Sequence, residues 1–336
     1  MDTGGAGRGT SMNLPSEILR CPSTGSALTL DVKNALLRAD AGPAYSYANN
    51  IGHFLAPVTD ADLNKATRAF YDEVGWSKHA SGLYNDTAKF VDTRSVSLDF
   101  TRACMRRLKK HFHKGGQFLL DAGCGPIAHD ELLEYGEGFE QRICVDLSVA
   151  ALSEAQRKLG DKGVYLQGDL TKLPVETGSV DAAMCYHVIY QLPPELQAKA
   201  FTEIWRVLKP GGVAVVVYWW PESKLAWRIE RVAKMLLGTQ KPAEPTSQVV
   251  STAPTPAETP DHNPLSLEWF QSQPWPFRYS FDTYRVVDND FMKNRIPNNW
   301  KGALFLKGLV LLQKLAPSYC GKHGEMPAII IRKDAK

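Results

Sequence analysis

Asp121, Gly123, Gly125, Asp146, Asp169 and His187 have the types and spacing to hold a nucleotide-like molecule in the middle of this 336-residue chain. The run Phe118-Leu-Leu-Asp-Ala-Gly-Cys-Gly125 carries an apolar stretch into one acid and then two glycines. That is the pattern of a buried parallel strand ending in a tight turn. Glycine is needed there because the backbone must turn sharply and let a ligand come close. A helix after the turn would aim its free N–H groups at the same spot. Gly123-x-Gly125-x-x-Ala128 also satisfies the relaxed dinucleotide fingerprint, so a dehydrogenase competes. Asp121 separates the two. A carboxylate at the strand end repels a pyrophosphate and suits a cofactor with a cationic amino-acid tail.

The remaining residues follow in order. Asp146 ends the strand-like run Arg142-Ile-Cys-Val-Asp146. It is placed to accept hydrogen bonds from both ribose hydroxyls, or to stabilise a helix starting near Ser148. Gly168-Asp169-Leu170 follows a third strand pattern, and Tyr186-His187 follows a fourth at 179–185. Ligands in open α/β sheets bind outside the carboxyl ends of the strands. His187 therefore stands beside cofactor or acceptor, either packing there or acting as a base. His129 is the second base candidate, with helix capping or contact to the cofactor tail as its other readings.

Asp121-Ala-Gly-Cys-Gly125 resembles the first motif of class I S-adenosylmethionine-dependent methyltransferases, and Asp146, Asp169, His187 and Leu208-Lys-Pro-Gly-Gly212 keep the family's order. Pro126 stands where the family usually has glycine, and proline suits a helix start. The branch it resembles contains quinone-biosynthesis and natural-product enzymes. The resemblance implies an α/β, Rossmann-like seven-stranded fold with a small N-terminal segment and a helical cap. It implies S-adenosyl-L-methionine as cofactor, held by Asp121, Gly123, Gly125, Asp146, Leu147, Asp169, Leu170 and His187, with Asp169 or its neighbouring amide at the adenine edge. In such caps a tyrosine closes over the cofactor, and Tyr71 in Phe70-Tyr-Asp-Glu-Val-Gly-Trp76 is the candidate. The plainer reading makes Phe70, Tyr71 and Trp76 one side of an amphipathic helix. Tyr218-Trp-Trp220 lines the pocket or packs in the core. The reaction expected is in-line methyl transfer to an O, N, S or C atom of a small molecule.

Leu19-Arg-Cys-Pro-Ser-Thr-Gly25 and Asn50-Ile-Gly-His-Phe-Leu55 resemble the two ends of small zinc-ribbon-like domains found with RNA and protein methyltransferases. Cys21 is the only cysteine there, so no metal is expected, and the segment reads as a metal-free remnant or a cap. An RNA methyltransferase docking through residues 14–56 is the alternative function. A non-catalytic S-adenosylmethionine-binding regulatory protein is the third.

The elements that must position these residues alternate between strand and helix patterns from 118 onward, which argues for a parallel sheet with helices on both faces. Strands are predicted at 118–122, 141–146, 163–167, 179–185 and 212–219, with helices at 128–135, 148–159 and 193–208. Val213–Val217 is apolar throughout, as in a strand buried on both sides. A helix over 95–113 precedes the sheet. A strand-like 277–287, a helix at 303–316 and a strand near 327–332 complete it, with the last two strands forming the antiparallel edge pair of the class I fold. The chain divides into a disordered tail (1–13), the small N-terminal segment (14–56), a cap (57–94) and a methyltransferase domain (95–336) interrupted by a Pro/Thr/Ser-rich insertion at 239–264.

Charge is nearly balanced at +3, and no basic run carries interleaved aromatics, so nucleic acid is disfavoured. No Asn-Pro-Pro-Tyr follows the fourth strand, which disfavours the amino-directed base chemistry of that motif. The six cysteines are scattered without a Cys-x-x-Cys pair, which suggests a reducing compartment and a cytoplasmic protein. No apolar run reaches membrane-span length, and 303–315 reads as an amphipathic helix packed on the domain, with membrane contact as the minor alternative. No membrane partner is therefore expected.

Overall fold

A computed structural model describes residues 14–55, 65–78, 82–238 and 262–335. The predicted tail at 1–13, most of the 239–264 insertion, and parts of the 57–94 cap lie outside these residues. The strands are β1 (Leu28–Asp31), β2 (Leu36–Ala39), β3 (Tyr45–Ala48), β4 (Ile51–His53), β5 (Gly116–Ala122), β6 (Phe139–Asp146), β7 (Gly163–Gln167), β8 (Val180–Tyr186), β9 (Leu208–Val217), β10 (Arg278–Arg285) and β11 (Met326–Arg332). The helices are α1 (Lys65–Phe70), α2 (Asn85–Phe90), α3 (Ser95–Leu108), α4 (Val149–Leu159), α5 (Pro194–Val207), α6 (Lys224–Leu237), α7 (Leu267–Ser272), α8 (Asn289–Arg295), α9 (Trp300–Leu315) and α10 (Pro317–His323).

The eleven strands among the described residues form one sheet in the order β1-β2-β3-β4-β7-β6-β5-β8-β9-β11-β10. From β7 to β9 neighbouring strands run parallel, and β11 and β10 close the far edge antiparallel. The seven strands from β7 to β10 in this order form the α/β, Rossmann-like sheet expected from the sequence, and β1 to β4 add four more strands on one side. Strand order reverses at β5, between β6 on one side and β8 on the other. That reversal opens the crevice in which such sheets bind ligands.

The apolar runs are explained by burial on two faces. Phe118, Leu120 and Ala122 of β5 enter one core with Ile143, Val145, Ala214 and Val216. Leu119 enters the other with Cys144, Met184, Val215 and Val217. Helix α5 buries Ala200, Phe201, Ile204 and Val207, a stripe at helical spacing, on the first face. Helices α3 and α4 cover the second through Met105, Leu108, Leu152 and Ala155.

Two expectations are corrected. The 128–135 helix is a 3-10 stretch, Asp130–Gly136, preceded by an extended His129. No regular helix follows the glycine turn before β6. The N-terminal segment, expected to stand apart, is an antiparallel meander whose last strand pairs parallel with β7, with Ile51 opposite Tyr165 and His53 opposite Gln167. It covers the edge that β7 would otherwise leave open. Leu19, Leu28 and Leu37 share one core with Leu166 and Val175. Around the Cys21 thiol stand the hydroxyls of Ser23 and Tyr45, each at 3.2 Å, where a ribbon would hold metal ligands.

Because this core is shared, Leu37→Ala, at a fully buried position, is expected to lower global stability by about 2–5 kcal/mol. Urea unfolding followed by both far-UV dichroism and tryptophan fluorescence checks this. The two probes should shift together, whereas an independent N-terminal unit would shift as a separate minor transition.

Candidate active site

The strands β5, β6, β7 and β8 deliver their carboxyl ends to one cavity of about 440 Å³, within the range of ligand pockets. Asp121, Gly123, Gly125, Asp146, Leu147, Asp169, Leu170, His187 and Tyr71 all line it. The structure thus brings together every residue that the sequence assigns to the cofactor.

The glycine turn has the backbone its sequence requires. Gly123 and Gly125 lie at φ +74° and +53°. A Cβ at Gly123 would meet Val188 Cγ2 at 2.4 Å, and one at Gly125 would face the Trp76 ring at 3.3 Å. Asp146 holds the turn from the neighbouring strand. The Gly125 N–H donates to its Oδ2 at 2.8 Å, and the Ser148 N–H donates to its Oδ1 at 2.9 Å. The two roles read from the sequence are therefore compatible, since each carboxylate oxygen keeps a lone pair for a ligand hydroxyl. Burial pushes the Asp146 carboxyl up to about 6, while the amides of Ser148 and Gly125 pull the other way.

Asp121 is bound differently from the sequence expectation. Arg142, one strand away on β6, donates to its Oδ2 from Nη2 at 2.6 Å and from Nε at 3.0 Å. Arg142 Nη1 also donates to the Leu132 carbonyl at 2.7 Å. Both side chains are almost fully buried. Burial pushes the Asp121 carboxyl up and Arg142 opposes it. One of the two oxygens is thus engaged inside the protein, and Asp121 contributes to the cavity floor as half of an ion pair. Asp121 also converges with Cys124 and Cys144 in a group of three potential metal ligands. The Arg142 guanidinium beside it opposes a cation there.

Asp169 accepts from the Thr171 N–H at 2.7 Å, an Asp turn that still faces the cavity. The Leu147 carbonyl accepts from Gln167 Nε2 at 3.0 Å, which ties β7 to the β6 loop. In the cap, Tyr71 stacks on Trp76 with centroids 5.0 Å apart, and its hydroxyl donates to Gln191 Oε1 at 3.1 Å. Phe70 is buried, so this aromatic group is divided between core and cavity wall. Tyr218-Trp-Trp220 is divided in the same way: Tyr218 and Trp220 pack in the core and Trp219 lines the cavity.

His187 sits at φ +61°, with its N–H donating to the Val217 carbonyl, so the loop after β8 is held in a left-handed conformation. Burial drives its imidazole down to about 3, and nearby Arg285, His129 and His262 act in the same direction. The ring is neutral at physiological pH, and its low basicity favours packing and hydrogen bonding over proton abstraction. His129 also lines the cavity and is held below its usual range by burial. It makes no side-chain cap to the stretch that follows it.

Sequence reasoning missed the wall contributed by the C-terminal third: His262, Tyr284, Arg285, Asp288 and Asn289. Arg285 is buried near the end of β10. It donates to Asn289 Oδ1 at 3.0 Å and to Thr101 Oγ1 at 3.4 Å, while its buried Nε–H has no partner among the described residues. A lone arginine beside the apolar run that ends at Val287 was the available signal. Only pairing of β10 with β11 places it over the crevice.

Residues 120–216 match the family model described as a methyltransferase domain. The chain is similar to "Probable methyltransferase ltbC" of Aspergillus luteorubrus, with 31% identity over 113 residues, which cover 30% of this chain and 39% of that protein. It is also similar to the sterol 24-C-methyltransferase of Debaryomyces hansenii, with 28% identity over 58% of this chain and 48% of that one. The chain thus spans less than half the length of these two relatives. Among solved structures, a SAM-dependent methyltransferase from Archaeoglobus fulgidus aligns at 17% identity and a TM-score of 0.43, covering 74% of this chain and 98% of that one. The matched segment, residues 120–216, holds the end of β5, the strands β6 to β8 and most of β9, and with them the glycine turn and the four strand ends that border the cavity.

Replacing Arg142 with Met leaves a buried carboxylate without its partner and is expected to cost about 3–5 kcal/mol. Denaturant titration of Arg142→Met, Asp121→Asn and the double variant checks this. The double variant should be more stable than Arg142→Met alone.

Proposed function

We propose that this protein binds S-adenosyl-L-methionine in the β5–β8 crevice and transfers its methyl group to a small-molecule acceptor. The observation that carries the reading is the Asp146 carboxylate, fixed by two backbone amides beside a glycine turn that has no room for side chains. The fit is chemical as well as spatial. No regular helix follows the turn before β6, which disfavours a pyrophosphate, and with it the dehydrogenase reading.

In this assignment Asp146 takes the ribose hydroxyls, and Leu147, Asp169 and Leu170 border the adenine. Gly123 and Gly125 let the tail approach the backbone, and Asp121 marks its ammonium end. Tyr71 and Trp76 cover the site from the cap, where an aromatic face is favourable beside a sulfonium. The bound cofactor supplies a methyl group on a good leaving group, so the protein chiefly has to place the nucleophile in line with it. The acceptor space is the remainder of the cavity, walled by Tyr186 and Tyr284 from β8 and β10 and by Tyr190 and Trp219 from the segments after β8 and β9. Its aromatic lining suits an apolar or planar acceptor, and the similarity to sterol 24-C-methyltransferases supports that reading. His187 lies between the two halves as a neutral hydrogen-bonding neighbour.

The likeness to the quinone-biosynthesis and natural-product branch belongs to the same proposal, as does a cytoplasmic location, supported by six free, buried cysteines. RNA docking through residues 14–56 has less support, because that segment spends β4 on pairing with β7. The non-catalytic reading predicts cofactor binding without methyl transfer to any metabolite fraction, and labelled S-adenosylmethionine tests it.

Asp146→Asn is expected to weaken binding of S-adenosylhomocysteine by about 1–3 kcal/mol, the cost of poorly paired ribose hydroxyls. Titration calorimetry measures this, and unchanged affinity removes Asp146 from the site. The pH dependence has a definite sign. The ligand hydroxyls bind the ionised carboxylate, so affinity should be full above neutral pH and fall as pH drops through about 6. That fall should be absent in Asp146→Asn.

A further inference from the structure

Helices α6 and α9 lie side by side and leave a face that the fold does not use. Of the twelve large hydrophobic side chains exposed among the described residues, eight are on these two helices. They are Trp227, Val232, Met235 and Leu236 on α6, and Trp300, Leu304, Leu311 and Leu315 on α9. Met235, Trp300 and Leu315 are more than 70% exposed. Helix α9 buries Leu306 and Leu309 inward and is also apolar outward, a pattern that a helix facing water does not carry. Between the helices runs an apolar groove of about 710 Å³ lined by Ile229, Leu236, Leu304 and Leu312 among others. A face of this size and composition marks a contact surface.

The charges around it identify the occupant. The two helices carry seven basic residues, Lys224, Arg228, Arg231, Lys234, Lys301, Lys307 and Lys314, against one acid, Glu230. The whole chain has a net charge of only +3. The Arg231 guanidinium lies 4.9 Å from the Trp227 ring and the Lys301 ammonium 5.8 Å from Trp300. Apolar side chains with tryptophan at their edge and cations around them form the face of a helix that lies in a lipid headgroup region. A second copy of the chain would bring like charges together across a two-fold axis. The adjoining segment 239–261 offers only Val249 and Val250 as large apolar groups.

We propose that the α6–α9 face docks on an anionic membrane surface, with the two tryptophans and the protruding leucines entering the headgroup layer. No described helix is long and apolar enough to cross a membrane, so the contact is peripheral. It takes up the minor alternative that the sequence left open for 303–315, and the observation that favours it is the second apolar face that α9 turns outward in the assembled fold. The same face adjoins the cavity wall. Helix α8, which begins at the cavity residues Asn289 and Asp290, packs on α6 and is joined to it by the Arg295–Glu230 ion pair at 2.8 Å.

The test is flotation of the full chain with vesicles of phosphatidylcholine alone or mixed with phosphatidylserine. The protein should float with the mixed vesicles, less at high salt, and little with the neutral ones. Trp300→Ser combined with Leu304→Ser should lower the partition coefficient by about tenfold or more. Lys301→Glu combined with Lys307→Glu should remove mainly the phosphatidylserine dependence. Both pairs are exposed, so melting temperature and S-adenosylhomocysteine affinity should stay unchanged. Absence of vesicle binding by the natural chain, or equal binding by the serine variant, overturns the proposal. So does a dimer in sedimentation that the serine variant dissolves without any vesicle binding. Since cofactor affinity is measured on the same samples, failure here is distinguishable from failure of the methyltransferase reading.

Discussion

One carboxylate organises the glycine turn at the mouth of the crevice. Asp146 ends β6, accepts the Gly125 amide from the turn after β5, and accepts the Ser148 amide at the entry to α4. A buried amide without a partner is costly, so the turn is stable only in the shape that Asp146 sets. That shape puts two glycines at positive φ next to a strand reversal, with room for a ligand and none for side chains. The remaining cradle residues reach the same place because the parallel strands β5 to β8 end at one level. What separates this turn from a dinucleotide site is the missing helix N-terminus. Asp146 does for the glycine amide what a bound phosphate would otherwise do.

Beneath the turn, charge is managed by pairing. Asp121 and Arg142 neutralise each other on adjacent strands, and the guanidinium also satisfies the Leu132 carbonyl. Ion pairing at this depth adds little net stability but ties β5 to β6 in one register. On the opposite wall the balance is looser. Arg285 keeps an Nε–H without a partner among the described residues, and burial lowers the basicity of His187 and His129. The side of the cavity at β5 and β6 thus holds a closed ion pair, and the side at β8 and β10 is polar groups set in an aromatic wall.

Both edges of the sheet are handled by additions to it. On one side β1 to β4 continue the sheet past β7, so a segment whose sequence resembles a separate module becomes part of the main core. On the other, β11 and β10 turn antiparallel, and β10 with the start of α8 closes the cavity. The neighbouring C-terminal helices leave the apolar, basic face of α6 and α9 in water. Cavity wall and exposed face are therefore built from one continuous set of elements.

The amino-acid sequence alone determined the parallel sheet, its strand positions to within a few residues, and the set of residues that meet at the carboxyl ends of β5 to β8. It did so because those residues lie at the ends of strands with strong apolar patterns, and because glycine and aspartate at such ends have few other uses. The tertiary structure alone decided the rest. That Arg142 partners Asp121, that Gly125 rests on Asp146, and that Arg285, Tyr284 and His262 face His187 are contacts across strands or between segments far apart in the chain. No local pattern encodes them, since each depends on which strands become neighbours. The 3-10 stretch at 130–136 and the outward face of α9 have the same origin. Local propensity permitted a regular helix in the first case and a packed one in the second, and the surrounding fold supplied neither the space nor the partner.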